Sequence, residues 1–297
     1  LDESFEKIWI GWPGQVVEDE AERKRVAKDL EARDLVPVFL SEEEIHLYYE
    51  GYANKTIWPH FHYFTQYTTY NDDYWDAYVA VNRKFADGVI PQLREDDMVW
   101  VHDYQLMLVP QMIREAFPEI SIGFFLHIPF PSYEVFRILP WRKQILEGLL
   151  GADQIGFHTF GYMRHFLSAV YRIVGHEHRF GKLTVGNRLV NVDVYPMGID
   201  YEKYAHPEVN IRKSDESFKI RQLAKGRRII CSIDRLDYSK GLEQRLYAYR
   251  RFLETHPDYH GKVTLVMVVV PSRSGVDQYQ ELKHHVDELV GEINGAY

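Results

Sequence analysis

The sequence predicts an α/β protein with mostly parallel sheets, and two observations carry that expectation. Short apolar runs rich in β-branched residues alternate with longer runs of helical period, the pattern that crossover connections between parallel strands require. The 297 residues, 45% of them hydrophobic, also suffice for the cores of one large or two ordinary domains of that class. No internal repeat, low-complexity tract or heptad seam points to a solenoid or a coiled coil.

Taken in order, strands are expected at 7–10, 35–40, 98–101, 120–126, 154–157, 190–195, 229–233 and 263–270. Between the second and third, Trp75, Tyr78, Phe85, Val89 and Leu93 recur at helical steps and predict a helix over 75–93, with Gly88 and Pro91 weakening or kinking its end. Leu242, Leu246, Tyr249 and Leu253 repeat that pattern after the seventh strand. Residues 198–228 break the rhythm, turning polar around Lys213-Ser214-Asp215-Glu216-Ser217. The expected organisation is therefore a first domain over 1–197, a linker region over 198–228, and the start of a second domain over 229–297. Two strand-helix units make a poor independent core.

Composition excludes several classes. A net charge of −9, from 35 Lys and Arg against 44 Asp and Glu, leaves no electrostatic footprint for nucleic acid or an anionic membrane. No apolar run nears the roughly 18 residues that span a bilayer, and the start Leu1-Asp2-Glu3-Ser4 lacks the regions of a signal peptide. The single cysteine, Cys231, excludes an internal disulfide; expected within a buried strand, it fits a reducing, cytoplasmic setting. The close histidine pairs His60/His62, His176/His178 and His284/His285 lack the Cys or carboxylate partners of a metal site, so no metal is expected. P-loop, dinucleotide-binding and nucleophile-elbow motifs are absent, which disfavours ATP transfer, hydride transfer and serine hydrolysis.

Ligands of open α/β sheets bind outside the carboxyl ends of the strands, and the suggestive polar residues fall there. In Ile233-Asp234-Arg235-Leu236-Asp237-Tyr238-Ser239-Lys240-Gly241, two cations stand where a strand hands over to a helix. Unpaired amides and a partial positive charge at a helix start, joined by Arg235 and Lys240, suit a diphosphate; a solvated surface loop is the plainer alternative. Asp103 follows the third strand and could orient a sugar hydroxyl or accept its proton, whereas a lone Asp there is often a helix cap. His127 follows the fourth and could bond a sugar or act as an acid or base, or simply satisfy backbone groups. Arg273, after the eighth, could grip a phosphate or sit idle in a turn. Twelve Phe, Tyr and Trp residues fall between Tyr48 and Tyr78; such rings can stack on sugars, although core packing serves most of them. The residues alone stop at a cytoplasmic enzyme acting on a phosphorylated sugar or nucleotide sugar.

Four strings together go further: Ile57-Trp58-Pro59-His60-Phe61-His62-Tyr63, Val101-His102-Asp103-Tyr104-Gln105-Leu106, Gly123-Phe124-Phe125-Leu126-His127-Ile128-Pro129-Phe130-Pro131, and Arg235-Leu236-Asp237-Tyr238-Ser239-Lys240-Gly241. In order and spacing they resemble trehalose-6-phosphate synthases, retaining glucosyltransferases of the GT-B type with two Rossmann-like domains. The start Gly11-Trp12-Pro13-Gly14 looks more like the fungal members. The resemblance implies transfer of glucose from UDP-glucose to glucose 6-phosphate, giving α,α-trehalose 6-phosphate and UDP, without cofactor or metal. It implies that Arg235 and Lys240 hold the donor diphosphate and stabilise the leaving UDP, and that His127 contacts the transferred glucose. Tyr49, Trp58, Asp103 and Arg273 match acceptor-side residues, with Tyr49 and Arg273 near the phosphate. Attack is from the front face, so neither Asp103 nor His127 is assigned as a nucleophile.

Members of the family carry a glycine-rich loop upstream of Leu1 and an acidic loop downstream of Tyr297. The chain therefore looks like a fragment, expected to be inactive alone and to have an aggregation-prone second half. A homo-oligomer, or a complex with a trehalose-6-phosphate phosphatase subunit, stays open. So does an alternative in which the parent is a non-catalytic, glucose-6-phosphate-sensing subunit; retention of Arg235, Lys240, Asp103 and His127 weighs against it.

Overall fold

Among the described residues ten strands form, and eight of them overlap the apolar runs of the sequence. They are β1 Trp9–Gly11, β2 Leu35–Pro37, β3 Met98–His102, β4 Ser121–Phe125, β5 Gln154–Phe157, β6 His178–Arg179, β7 Lys182–Val185, β8 Arg188–Val194, β9 Arg228–Arg235 and β10 Val263–Val270. The computed structural model describes residues 6–205, 215–271 and 277–297. The chain divides into two compact units, Leu1–Met197 and Gly198–Tyr297.

In the first unit β1 and β2 pair in parallel, and a six-stranded sheet runs in the order β3-β4-β5-β8-β7-β6. Its first four strands are parallel; β8, β7 and β6 turn back on one another as antiparallel neighbours. The parallel strands bury apolar side chains such as Val101, Ile122, Phe124, Ile155, Phe157 and Val192. Helix Phe160–Val174 covers part of this core with Met163, Phe166, Leu167 and Val170. Thr159 caps its start, and Gly175, at φ 82°, ends it in the left-handed conformation that glycine adopts without strain.

The helix expected over 75–93 spans Asp72–Val89 instead. It starts early because the Asn71 side chain accepts from the amides of Asp73 and Tyr74. It stops early because Pro91 has no amide to continue the ladder, leaving a 3-10 turn at Ile90–Gln92. Ahead of it, Ile45–Ile57 forms a π-helix. Gly51 is required there, since a Cβ would sit 2.8 Å from the Tyr74 ring. Helix Arg142–Leu149 presses on the backbone that follows β3: a Cβ at Gly148 would lie 2.6 Å from the Met107 carbonyl oxygen. That segment is thereby fixed from outside.

In the second unit β9 and β10 pair in parallel. Helices Leu242–Thr255 and Asp277–Ala296 cover one face, with Leu242, Leu246, Leu253, Leu282, Val286, Leu289 and Ile293 closing a core over Leu265, Met267 and Val269. The burial expected of Cys231 is corrected here: the thiol is exposed. Alternation along a strand sends Cys231 to the face opposite these helices, beside Ile233 and, on β10, Val268 and Val270, which are 69%, 42% and 52% exposed.

Candidate functional site

The carboxyl ends of β3, β4 and β5 gather four polar side chains. His102 is the last residue of β3, and Asp103 follows it at φ 69° and ψ 174°. An L residue pays for such a conformation in strain, so the surroundings must hold it. The Asp103 amide donates to the Phe125 carbonyl at 2.8 Å. The His127 amide donates to Asp103 Oδ1 at 3.1 Å. The next residue, Tyr104, is buried; its hydroxyl donates to Asn54 Oδ1 at 3.0 Å and its carbonyl accepts from the Tyr78 hydroxyl at 2.8 Å. Asp103 is thus pinned from β4 on one side and from two helices on the other.

Burial raises the Asp103 pKa, offset in part by the Tyr104 amide and by the imidazoles of His127 and His158. Burial lowers His102, and His127 beside it adds to that effect. His158, one residue past β5, is lowered in the same way, while Asp103 and the backbone of His127 pull it back up. The His127 ring lies 5.3 Å from His102, 5.8 Å from His158 and 4.7 Å from Phe125. This is a cluster of three imidazoles with a single carboxylate.

The acceptor-side candidates approach through Tyr104. The buried Trp58 ring lies 5.7 Å from Tyr104. Tyr49, half-buried on the π-helix, lies 5.6 Å from Trp12 in the loop after β1. His60, in the same aromatic segment, is a core residue: burial drives its pKa down to about 4 against the backbone of Val135, and its Nδ1 lies 3.2 Å from the Tyr70 hydroxyl.

In the second unit Arg235 ends β9, Lys240 closes the 3-10 turn Tyr238–Lys240, and both are exposed. Gly241, at φ 64°, then starts helix Leu242–Thr255 without a side-chain cap, leaving its first amides available to an anion. Arg245 ties the helix back to β9 by bonding Asp234 at 2.7 Å and also Ser232. Its Nη2 donates to the Lys240 carbonyl at 3.3 Å, so the cationic loop has a fixed frame. Arg273 lies outside the described residues.

The structure therefore brings Asp103 and His127 into contact, links Trp58 to them through Tyr104, and leaves Arg235 and Lys240 on one strand-to-helix loop. Sequence reasoning left out His102 and His158 as site residues. The signal was present, since each stands at or just past the end of an expected strand. Among the described residues no three His, Cys, Asp or Glu side chains could hold a metal ion, and no helix is long and apolar enough to cross a membrane.

A family model described as Glycosyltransferase family 20 matches residues 1–297. Over 292 residues the chain is 45% identical to a bifunctional trehalose-6-phosphate synthase/phosphatase of Thermoproteus tenax, covering 98% of this chain and 40% of that protein. It is 44% identical over 300 residues to a UDP-forming alpha,alpha-trehalose-phosphate synthase of Pichia angusta, covering 97% of this chain and 62% of that one. The crystal structure of a UDP-forming alpha,alpha-trehalose-phosphate synthase from Burkholderia xenovorans in complex with glucose-6-phosphate matches with a TM-score of 0.87 at 29% identity, over 98% of this chain and 65% of that one. The α/β fold with mostly parallel sheets is that of these GT-B proteins, and the chain spans less than two thirds of the length of each of the three.

Proposed function

The chain belongs to glycosyltransferase family 20, and on that premise we propose that the full-length protein transfers glucose from UDP-glucose to glucose 6-phosphate with retention of configuration. An acceptor hydroxyl attacks the anomeric carbon as its bond to the diphosphate oxygen breaks. UDP leaves with the electron pair, and the acceptor proton passes to the leaving phosphate. Arg235, Lys240 and the uncapped amides of helix Leu242–Thr255 stabilise the charge that develops there. His127 contacts the transferred glucose, Asp103 and Trp58 the acceptor sugar, and Tyr49 and Arg273 the acceptor phosphate.

The observation that carries this reading is the Asp103–His127 contact, with a carboxylate held in a costly backbone conformation at the strand ends. Conformations of that kind persist where the surroundings over-determine them, and they cluster at functional sites. Residues 1–197 form the acceptor-side domain, 198–228 the linker region and 229–297 the opening of the nucleotide-sugar domain. The protein works in the cytoplasm; a phosphatase subunit is the natural partner, because the Thermoproteus relative joins both activities in its name.

Full-length protein incubated with UDP-glucose and glucose 6-phosphate should release UDP and form a phosphorylated disaccharide. A folded protein that binds both ligands and forms no such product would refute the reading. The 297-residue chain should give no useful turnover, a proposal supported by its spanning 40% and 62% of the two relatives. Turnover by the chain equal to that of the full-length protein overturns it.

A further inference from the structure

His102 Nδ1 lies 3.1 Å from His127 Nε2. Two neutral imidazoles at that separation hold one proton between them, since two bare lone pairs repel and two N–H groups collide. Two arrangements satisfy this. Either both rings carry their proton on Nε2 and His127 donates to His102, or both carry it on Nδ1 and His102 donates to His127. Free neutral histidine favours the Nε2–H form, and no backbone carbonyl bonds either Nδ1 among the described residues to reverse that preference. Both rings therefore adopt Nε2–H.

The surroundings keep the pair in register. His102 lies against Trp9 at 6.2 Å and Trp100 at 4.6 Å. The His127 amide is held by Asp103, its carbonyl faces the His158 imidazole, and its ring packs on Phe125. Asp103 and His158 are the titratable groups facing the pair; Trp9, Trp100 and Phe125 carry no charge. His127 Nδ1 has no protein partner among the described residues.

We propose that His102 is a positioning residue, accepting the Nε2 proton of His127 so that His127 presents its Nδ1 lone pair to a hydroxyl of the transferred sugar. This rests on the reading of His127 as a donor-sugar contact. One added proton goes to the bare nitrogen, His127 Nδ1, which becomes an N–H while Nε2 still faces His102 Nδ1. Protonation thus turns an acceptor into a donor.

Long-range proton–nitrogen correlation spectra of the chain with labelled histidine test the pair directly. Both rings should show a protonated Nε2 and a bare Nδ1 at neutral pH. His102→Phe keeps a ring beside Trp9 and Trp100 and removes the acceptor, so His127 should shift to a tautomer mixture; His102→Asn, whose amide oxygen replaces the acceptor, should restore the single form. In the full-length protein His102→Phe should lower kcat/KM for UDP-glucose roughly tenfold, the worth of one hydrogen bond. KM for glucose 6-phosphate should stay unchanged, and His102→Asn should recover the loss. A proton on His127 Nδ1, a tautomer unaltered in His102→Phe, or full kcat/KM in that variant each overturns the proposal. Absence of any glucosyl transfer by the unaltered full-length protein refutes the proposed activity and leaves the spectroscopic result standing on its own.

Discussion

Tyr78→Phe isolates the support beneath Asp103. Tyr78 is fully buried, 4.4 Å from the Tyr52 ring, and phenylalanine fills the same space. Its hydroxyl donates to the Tyr104 carbonyl at 2.8 Å and accepts from the Met107 amide at 3.0 Å. Removing one oxygen therefore breaks two hydrogen bonds and strands a buried amide. An orphaned buried donor costs about 1–3 kcal/mol and the second bond about 1 kcal/mol more, for a total of about 2–4 kcal/mol. For a unit of this size, each kcal/mol moves Tm by about 2–4 °C, so a drop of about 4–16 °C is expected by calorimetry. Tyr48→Phe is the internal comparison, because that hydroxyl makes one bond, to the Gln105 carbonyl at 3.1 Å; its loss should be smaller. Amide exchange at Met107 should accelerate in Tyr78→Phe and stay slow in Tyr48→Phe. A Tyr78→Phe protein within about 2 °C of the unaltered chain, with Met107 still protected, refutes the reasoning.

Two further outcomes follow from the charged residues. Arg235→Ala or Lys240→Ala in the full-length protein should reduce turnover by a factor on the order of a hundred, and near-normal turnover in both returns the loop to a solvated surface. Asp103→Asn keeps the size of the side chain and an oxygen for the His127 amide. Because burial raises the Asp103 pKa, the aspartate costs the fold nothing below the ordinary carboxylate range. Stability is lost as pH rises from there through the raised value. Asp103→Asn should therefore match the unaltered chain in acid and exceed its Tm at neutral pH; a gain confined to acid pH contradicts the assignment.

The strand ends were legible because strand periodicity and the carboxyl-end rule act locally. Met98 to Val101 and Ile120 to Leu126 announce where a sheet stops, and Asp103 and His127 stand just past those points. The partnerships were not legible. The bonds from His127 to Asp103 and to His102 join residues 24 and 25 apart, a distance fixed by parallel register that no local pattern encodes. The hairpins joining β6, β7 and β8 also escaped, since His178-Arg179 and Lys182 are polar; Gly186-Asn187, between β7 and β8, was the available signal. Cys231 misled because an apolar run does not say which of its two faces a helix will cover.

The π-helix at Ile45–Ile57 bears on how this sequence can vary. Its bonds skip one residue more than an α-helix, giving about 4.4 residues per turn, and it buries Tyr48, Tyr52 and Ile57 among others. Loops absorb insertions and deletions because their ends need only meet. Here one residue gained or lost would swing everything beyond it by a little under a quarter turn around the axis, turning Trp58 away from Tyr104 or Tyr49 away from Trp12. The segment is open to exchange of side chains and closed to change of length, so its residue count is itself part of the site.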